Sequence, residues 1–154
     1  MAETIVHVTP ELIPELVASA GALFAEDGGR HDPWMDTGWP RREGAAYYQD
    51  LLAGDNLCLL ARSNSTTAGH LIGRLNTNAL RPGARTAVLQ SLLVAEEYRR
   101  TGLGSALVAE FTRWAAEKEA NEFKVTAFAA NERAIAFYRK HGFAPFELTL
   151  SRPA

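Results

Sequence analysis

The stretch EEYRRTGLGSALV, Glu96 to Val108, constrains this chain more than any other. In front of it runs TAVLQSLLV, apolar and rich in strand formers. Behind it Leu103, Leu107, Phe111 and Trp114 recur at helical spacing, with Glu110, Arg113 and Glu117 on the opposite face. A strand must therefore pass into a helix through Gly102 and Gly104, with Arg99, Arg100 and the Ser105 hydroxyl beside the turn. A helix start presents unpaired backbone N–H groups and the positive end of the helix dipole, and glycine lets that backbone approach a bulky anion. The segment reads as a cradle for phosphate or pyrophosphate; the plain alternative is a tight turn with two solvated arginines. It is not a P-loop, because no Gly-Lys-Ser/Thr follows, and Leu107 stands where a dinucleotide fingerprint needs its third glycine.

The rest of the chain alternates strand and helix signals, without repeats, low-complexity tracts or linkers. TIVHV (residues 4–8) predicts a first strand, Thr9-Pro10 a helix start, and Gly28-Gly29 that helix's end. A second helix is expected over roughly residues 42–53. NLCLLARS and HLIGRLNTN read as a hairpin around the polar turn SNSTTAG, and LRPGAR as the next turn. FKVTAFA reads as a strand, NERAIAFYRKHG as a helix capped by Asn131 and closed by Gly142, and FAPFELTL as a last strand. The order β-α-α-β-β-β-α-β-α-β predicts an α/β fold, one mixed sheet with helices on its faces. At 154 residues the whole chain, 1–154, makes a single domain.

Apolar residues make up 47% of the chain, so a packed core is expected. With 16 Lys plus Arg against 18 Asp plus Glu, the formal charge of −2 argues against a nucleic-acid partner. The one cysteine, Cys58, lies in the apolar run NLCLLA and reads as a small core residue. One thiol supplies neither an internal disulfide nor a Cys-based metal site, and no metal is expected. The opening MAETIVHVTPE lacks the apolar run of a signal peptide, and no stretch approaches the roughly 20 apolar residues of a membrane span. The expected location is cytoplasmic, away from membranes.

Two segments in order carry a resemblance. LLVAEEYRRTGLGSAL gives Arg-x-x-Gly-x-Gly after a strand ending Leu92-Leu93-Val94. VTAFAANERAIAFYRKHGF then sets Asn131, Ala134, Phe137, Tyr138, Gly142 and Phe143 in a fixed pattern. Together, over roughly residues 88–146, they resemble the GNAT superfamily of acyl-CoA-dependent N-acetyltransferases; the half before them matches in element order only. The motif often has Pro where Glu96 stands and Gly where Arg100 stands.

The resemblance implies a mixed, mostly antiparallel sheet splayed at a cofactor slot, with acetyl-CoA as acyl donor. It implies that Leu92, Leu93 and Val94 pair their backbone with the pantetheine arm, and that an N–H near Val94 polarises the thioester carbonyl. N–H groups of Arg100, Thr101, Gly102, Leu103, Gly104 and Ser105 would hold the pyrophosphate, with the Arg99 and Arg100 side chains adding charge. Asn131 reads as a ligand of the cofactor arm, as a plain helix cap, or as both. Tyr138, two helical turns on, resembles the family's general acid, which protonates the departing thiolate; otherwise it is a half-buried packing aromatic.

The implied reaction is direct attack by an amine in a ternary complex. A base must take the amine's proton, and the strand before Val94 offers Gln90 and Ser91 rather than a carboxylate. Glu26, Asp27, His31, Asp32 and His70 are candidates, each also readable as a surface or turn residue. The loop from His31 to Trp39 is the expected acceptor site: Trp34 and Trp39 as walls, Asp32 or Asp36 attracting a cation. The same tryptophans also read as anchors of that loop on the core. Acceptors from small amines to protein amino groups stay open. So do a homodimer through the C-terminal strands and a second class of function, a non-catalytic acyl-CoA-binding or sensing domain.

Overall fold

A computed structural model describes residues 3–154; Met1 and Ala2, the start of the segment read above as lacking a signal sequence, lie outside the described residues. Strands β1 (Thr4–His7), β2 (Leu57–Ser63), β3 (Thr66–Asn78), β4 (Arg81–Val94) and β5 (Glu122–Val125) lie side by side in that order. The first three junctions are antiparallel and β4–β5 is parallel. The helices are α1 (Ile13–Leu23), α2 (Gly29–His31), α3 (Trp39–Ala53), α4 (Leu103–Glu117) and α5 (Glu132–Lys140). This is the mixed α/β sheet that the element order predicts, mostly antiparallel as the resemblance implies.

Both faces of the sheet are covered, which is why β2 reads as a continuous apolar run rather than an alternating one. Cys58 and Leu60 pack with Leu16, Ala20, Tyr48 and Leu51 from α1 and α3. Leu57, Leu59, Leu71, Ala87 and Leu89 pack on the other face with Leu107, Phe111 and Trp114 of α4. Each such large side chain contributes about 1.5–3 kcal/mol of burial. Cys58 is the core residue expected, and burial pushes its thiol up to about 11.

The feature that positions the site lies in β4. Ile72 pairs with Ser91 and Gly73 with Leu89, so Gln90 is an extra residue, a β-bulge. Bulges bend a strand and increase its twist. Leu89 is also the last residue of β4 paired to β5, so the two strands part at the bulge. At the closed end they are clamped. Arg81 donates two bonds of 2.7 Å to Glu122, and Thr86 Oγ1 donates a third at 2.7 Å. The Arg81 guanidinium, then the Thr86 hydroxyl, hold the Glu122 carboxyl down at about 2.

Four expectations are corrected. The first helix does not end at Gly28-Gly29: the chain continues through a π turn, Phe24–Gly28, into α2. Both glycines keep right-handed dihedrals, and Gly28 makes room for Met35, whose Cγ would lie 3.0 Å from a Cβ there. The second helix starts three residues early, at Trp39, with Pro40 in its first turn. The turn read as LRPGAR closes sooner, at Ala79-Leu80, where Asn78 Oδ1 accepts the Leu80 N–H at 2.8 Å; residues 82–85 fall in a break of the ladder. FAPFELTL forms no strand. Its alternating Phe146, Leu148 and Leu150 are 63%, 74% and 84% exposed, having no neighbouring strand to pair with.

β3 approaches β4 closely at one point. A Cβ on Gly69 would lie 2.3 Å from the Leu93 carbonyl oxygen, a backbone atom that cannot swing aside. Gly69→Ala is expected to lower unfolding stability by about 1–3 kcal/mol, read from a denaturant midpoint, and to displace Leu93 and Val94.

Candidate active site

Beyond Leu89 the outer edge of β4 has no strand beside it among the described residues. The Ala95 N–H bonds the Ala68 carbonyl on β3 at 2.8 Å. Because backbone groups alternate sides along a strand, Leu93 also faces β3, while Leu92 and Val94 turn their N–H groups outward. They face a cavity of about 530 Å³. Its opposite wall is Thr126 and Ala127 after β5, then Asn131, Ala134, Phe137 and Tyr138 of the α5 segment.

The start of α4 closes one end, with Gly102, Gly104 and Ser105 on the lining. The first helical bond runs from the Ala106 N–H to the Gly102 carbonyl, so the N–H groups of Leu103, Gly104 and Ser105 lack helical partners. Arg100 (φ 64°) and Gly102 (φ 88°) both turn left-handed here. Gly104 has a second duty: a Cβ would lie 3.1 Å from the Phe137 ring, so the glycine also lets α5 pack against α4.

Of the cofactor residues expected from sequence, Leu92, Leu93, Val94, Arg99, Arg100, Gly102, Gly104, Ser105 and Asn131 line this one cavity, and so does Tyr138, the expected acid. Thr101 does not: its hydroxyl bonds the Tyr98 carbonyl at 2.6 Å. The Leu103 side chain is buried in the α4 core, leaving only its backbone for a ligand. Ser105 Oγ lies 3.0 Å from His141 Nε2.

Arg99 lines the cavity with its charge already engaged. Its Nε donates to the Val94 carbonyl at 2.8 Å, and its guanidinium pairs with Glu26. Sequence reasoning missed Arg133 and Lys140, which line the cavity along with Arg100. Among the described residues none of these three forms an ion pair. An anion therefore meets three unneutralised cations.

The π turn reaches across the cavity mouth. Glu26 ties to Arg99 on the β4 side, and Asp27 accepts a 2.8 Å bond from Asn131 Nδ2 on the α5 side. Asn131 is also a helix cap, its Oδ1 accepting the Ala134 N–H at 3.1 Å, as one of its readings held. His31 Nε2 stands 3.6 Å from the same Asp27 carboxylate. Burial first, and the Asp27 charge second, push the Tyr138 phenol up to about 12. The phenol therefore stays protonated through the neutral range.

Leu23 and Asp27 also line a second cavity of about 390 Å³. It is walled by Phe24, Trp39, Tyr47, Tyr48 and Phe128, with Gln90 and Ser91 of the bulge at its side. Trp39 stacks on Phe24 at 6.0 Å and meets Tyr47 edge-on at 5.3 Å. Trp34 is 92% exposed and lines neither cavity. Asp32 accepts the Trp34 N–H at 3.0 Å, and Asp36 accepts the Gly38 N–H and pairs with Arg42. His31 rests on Phe128 with ring centroids 5.4 Å apart. Of the tryptophan loop, then, Trp39 is the wall. His31 stands behind the cavity, and Asp32 and Trp34 stand away from it.

His70 is no surface residue. It is fully buried, with Nδ1 2.6 Å from Ser19 Oγ and Nε2 2.7 Å from Ser91 Oγ. The chain Ser19–His70–Ser91 fixes the Ser91 hydroxyl, which β4 presents to the second cavity.

A slot opened by parting strands, with free helix-start amides at its end, is the working part of an acetyltransferase of the GNAT kind. A family model described as "Acetyltransferase (GNAT) family" matches residues 23–143, and the chain belongs to that family. No curated protein matches the chain. Among solved structures, the tetramutant of the BH1408 protein from Bacillus halodurans aligns with a TM-score of 0.86 at 17% identity, covering 98% of this chain and 99% of that one. An aminoglycoside acetyltransferase, HMB0005, from an uncultured soil metagenomic sample aligns at 0.77 and 24% identity, covering 100% and 99%. The aminoglycoside antibiotic 6'-N-acetyltransferase AAC(6')-Ih from Acinetobacter baumannii aligns at 0.77 and 20%, covering 99% and 98%. At these identities the likeness is one of fold.

Burial holds the His70 imidazole down at about 4. The unfolded chain takes up its proton near the ordinary value of about 6.5. The contribution to stability is thus present above that value and is lost as pH falls through the window towards 4. Wild type is expected to lose more stability over this window than His70→Gln, read from denaturant midpoints at several pH values.

Proposed function

We propose that this chain transfers an acetyl group from acetyl-CoA to a primary amine, by direct attack within a ternary complex. The observation that carries the reading is the placement of Asp27, on the wall shared by the two cavities and beside Tyr138. The residues fit the cofactor in three respects: an open β4 edge for an extended amide-bearing arm, free amides at the start of α4, and unneutralised Arg100, Arg133 and Lys140 for phosphate charge. Bound there, acetyl-CoA supplies an acetyl group activated as a thioester, whose sulfur needs a proton as it leaves.

The outward N–H of Val94 is the donor for the carbonyl oxygen, an oxyanion-hole role. Arg99 holds the Val94 peptide in place through its carbonyl. Asp27 attracts the ammonium form of the acceptor and takes its proton, freeing the nitrogen lone pair. Asn131 and His31 keep the carboxylate aimed. Tyr138 holds the proton for the sulfur. The two roles are coupled: once Asp27 is protonated its charge is gone, and the smaller of the two causes raising the Tyr138 phenol disappears. Tyr138 becomes a better acid at the moment an acid is needed.

Tyr138→Phe is expected to lower kcat by about 10²–10⁴-fold in a thiol-release assay, with CoA affinity by calorimetry unchanged. Unchanged turnover would remove Tyr138 from the acid role. Asp27→Asn is expected to lower kcat/KM for the amine by about 10²-fold or more, with the deficit shrinking as pH rises and free amine accumulates. Absence of CoA binding to the wild-type chain would overturn the reading altogether.

A further inference from the structure

Resting on the acetyl-transfer reading above, we propose that the second cavity takes a monocationic primary amine with an aromatic or similarly flat apolar body. Phe24, Trp39, Tyr47, Tyr48 and Phe128 put five aromatic rings on its wall, and among the described residues Asp27 is the one charged residue on the lining. That carboxylate sits where the cavity meets the slot, so an ammonium held by it lies at the reaction end while the body extends back among the rings. Ring faces add cation–π attraction for the same charge.

The volume, about 390 Å³, lies at the small end of the roughly 300–1,000 Å³ typical of small-molecule sites. Polar contacts are few. Gln90 Nε2 donates to the Tyr47 hydroxyl at 2.9 Å, and Ser91 Oγ is already bonded to His70. A polyhydroxylated acceptor with several ammonium groups would bury charges and hydroxyls against aromatic carbon, with one carboxylate to answer them. This wall therefore selects against an aminoglycoside, although two proteins of the same fold bear that name.

Calorimetry on the full chain saturated with CoA tests the assignment, using tryptamine, phenethylamine, ethylamine, putrescine and kanamycin as probes. The two arylalkylamines are expected to bind at least about tenfold more tightly than ethylamine, putrescine or kanamycin. Trp39→Ala is expected to weaken tryptamine about tenfold. Gln90→Glu, an exposed position on the lining, adds a second carboxylate. It should narrow the gap between tryptamine and putrescine, and it remains informative should Trp39→Ala fail to fold. Kanamycin or putrescine binding most tightly, or arylalkylamines binding no better than ethylamine, overturns the proposal. Selective arylalkylamine binding without thiol release on adding acetyl-CoA supports this assignment and overturns the transfer reading instead.

Discussion

An open strand edge inside a folded protein is the constraint on which the rest of this structure depends. Backbone amides and carbonyls seek partners, and a sheet normally supplies them from the next strand. Here β4 loses that neighbour after Leu89, and the polar groups of Leu92 and Val94 face the slot. The surrounding features serve that edge. The Gln90 bulge turns the strand away from β5, Gly69 lets β3 press close behind it, and Arg99 occupies the Val94 carbonyl. The Arg81–Glu122–Thr86 clamp keeps the far end shut, so the strands diverge from a fixed hinge rather than separating along their length.

Charge is distributed just as unevenly. Toward α4 and α5 the slot is bordered by Arg100, Arg133 and Lys140 without acidic partners, while Asp27 faces the aromatic cavity. On the proposed function, the first cavity draws the polyanion and the second the cation. The two cavities share Leu23 and Asp27 on their walls, and Tyr138 lines the first. The near-neutral net charge of the chain says nothing of this separation.

What the sequence revealed was local. The apolar spacing of α4, the glycines at its start and the Asn131 cap each depend on a few neighbouring residues, and much of the slot's lining was legible from them. The bulge at Gln90 was not, because it exists only in the register of Ser91 and Leu89 against Ile72 and Gly73. His70, in a predicted strand, read as a candidate base or a surface or turn residue; its place between Ser19 and Ser91 is purely tertiary. Trp34 and Trp39 are indistinguishable by composition. One begins a helix and stacks on Phe24, and the other stands in solvent. The alternation in Phe146, Leu148 and Leu150 is real, but a pattern specifies a strand only where another strand is there to receive it.

The π turn between Phe24 and Gly28 gives the scaffold an unusual way to change. An α-helix rotates about 100° per residue, and a π turn holds one residue more than the α path would. Glu26 and Asp27 ride on that surplus residue and owe to it their reach toward Arg99 and Asn131. Deleting one position here would swing both carboxylates around the helix axis and away from the mouth, with every other side chain intact. A change in chain length at this single helix end would therefore release Arg99 and Asn131 from their carboxylate partners together, altering both sides of the slot in one step.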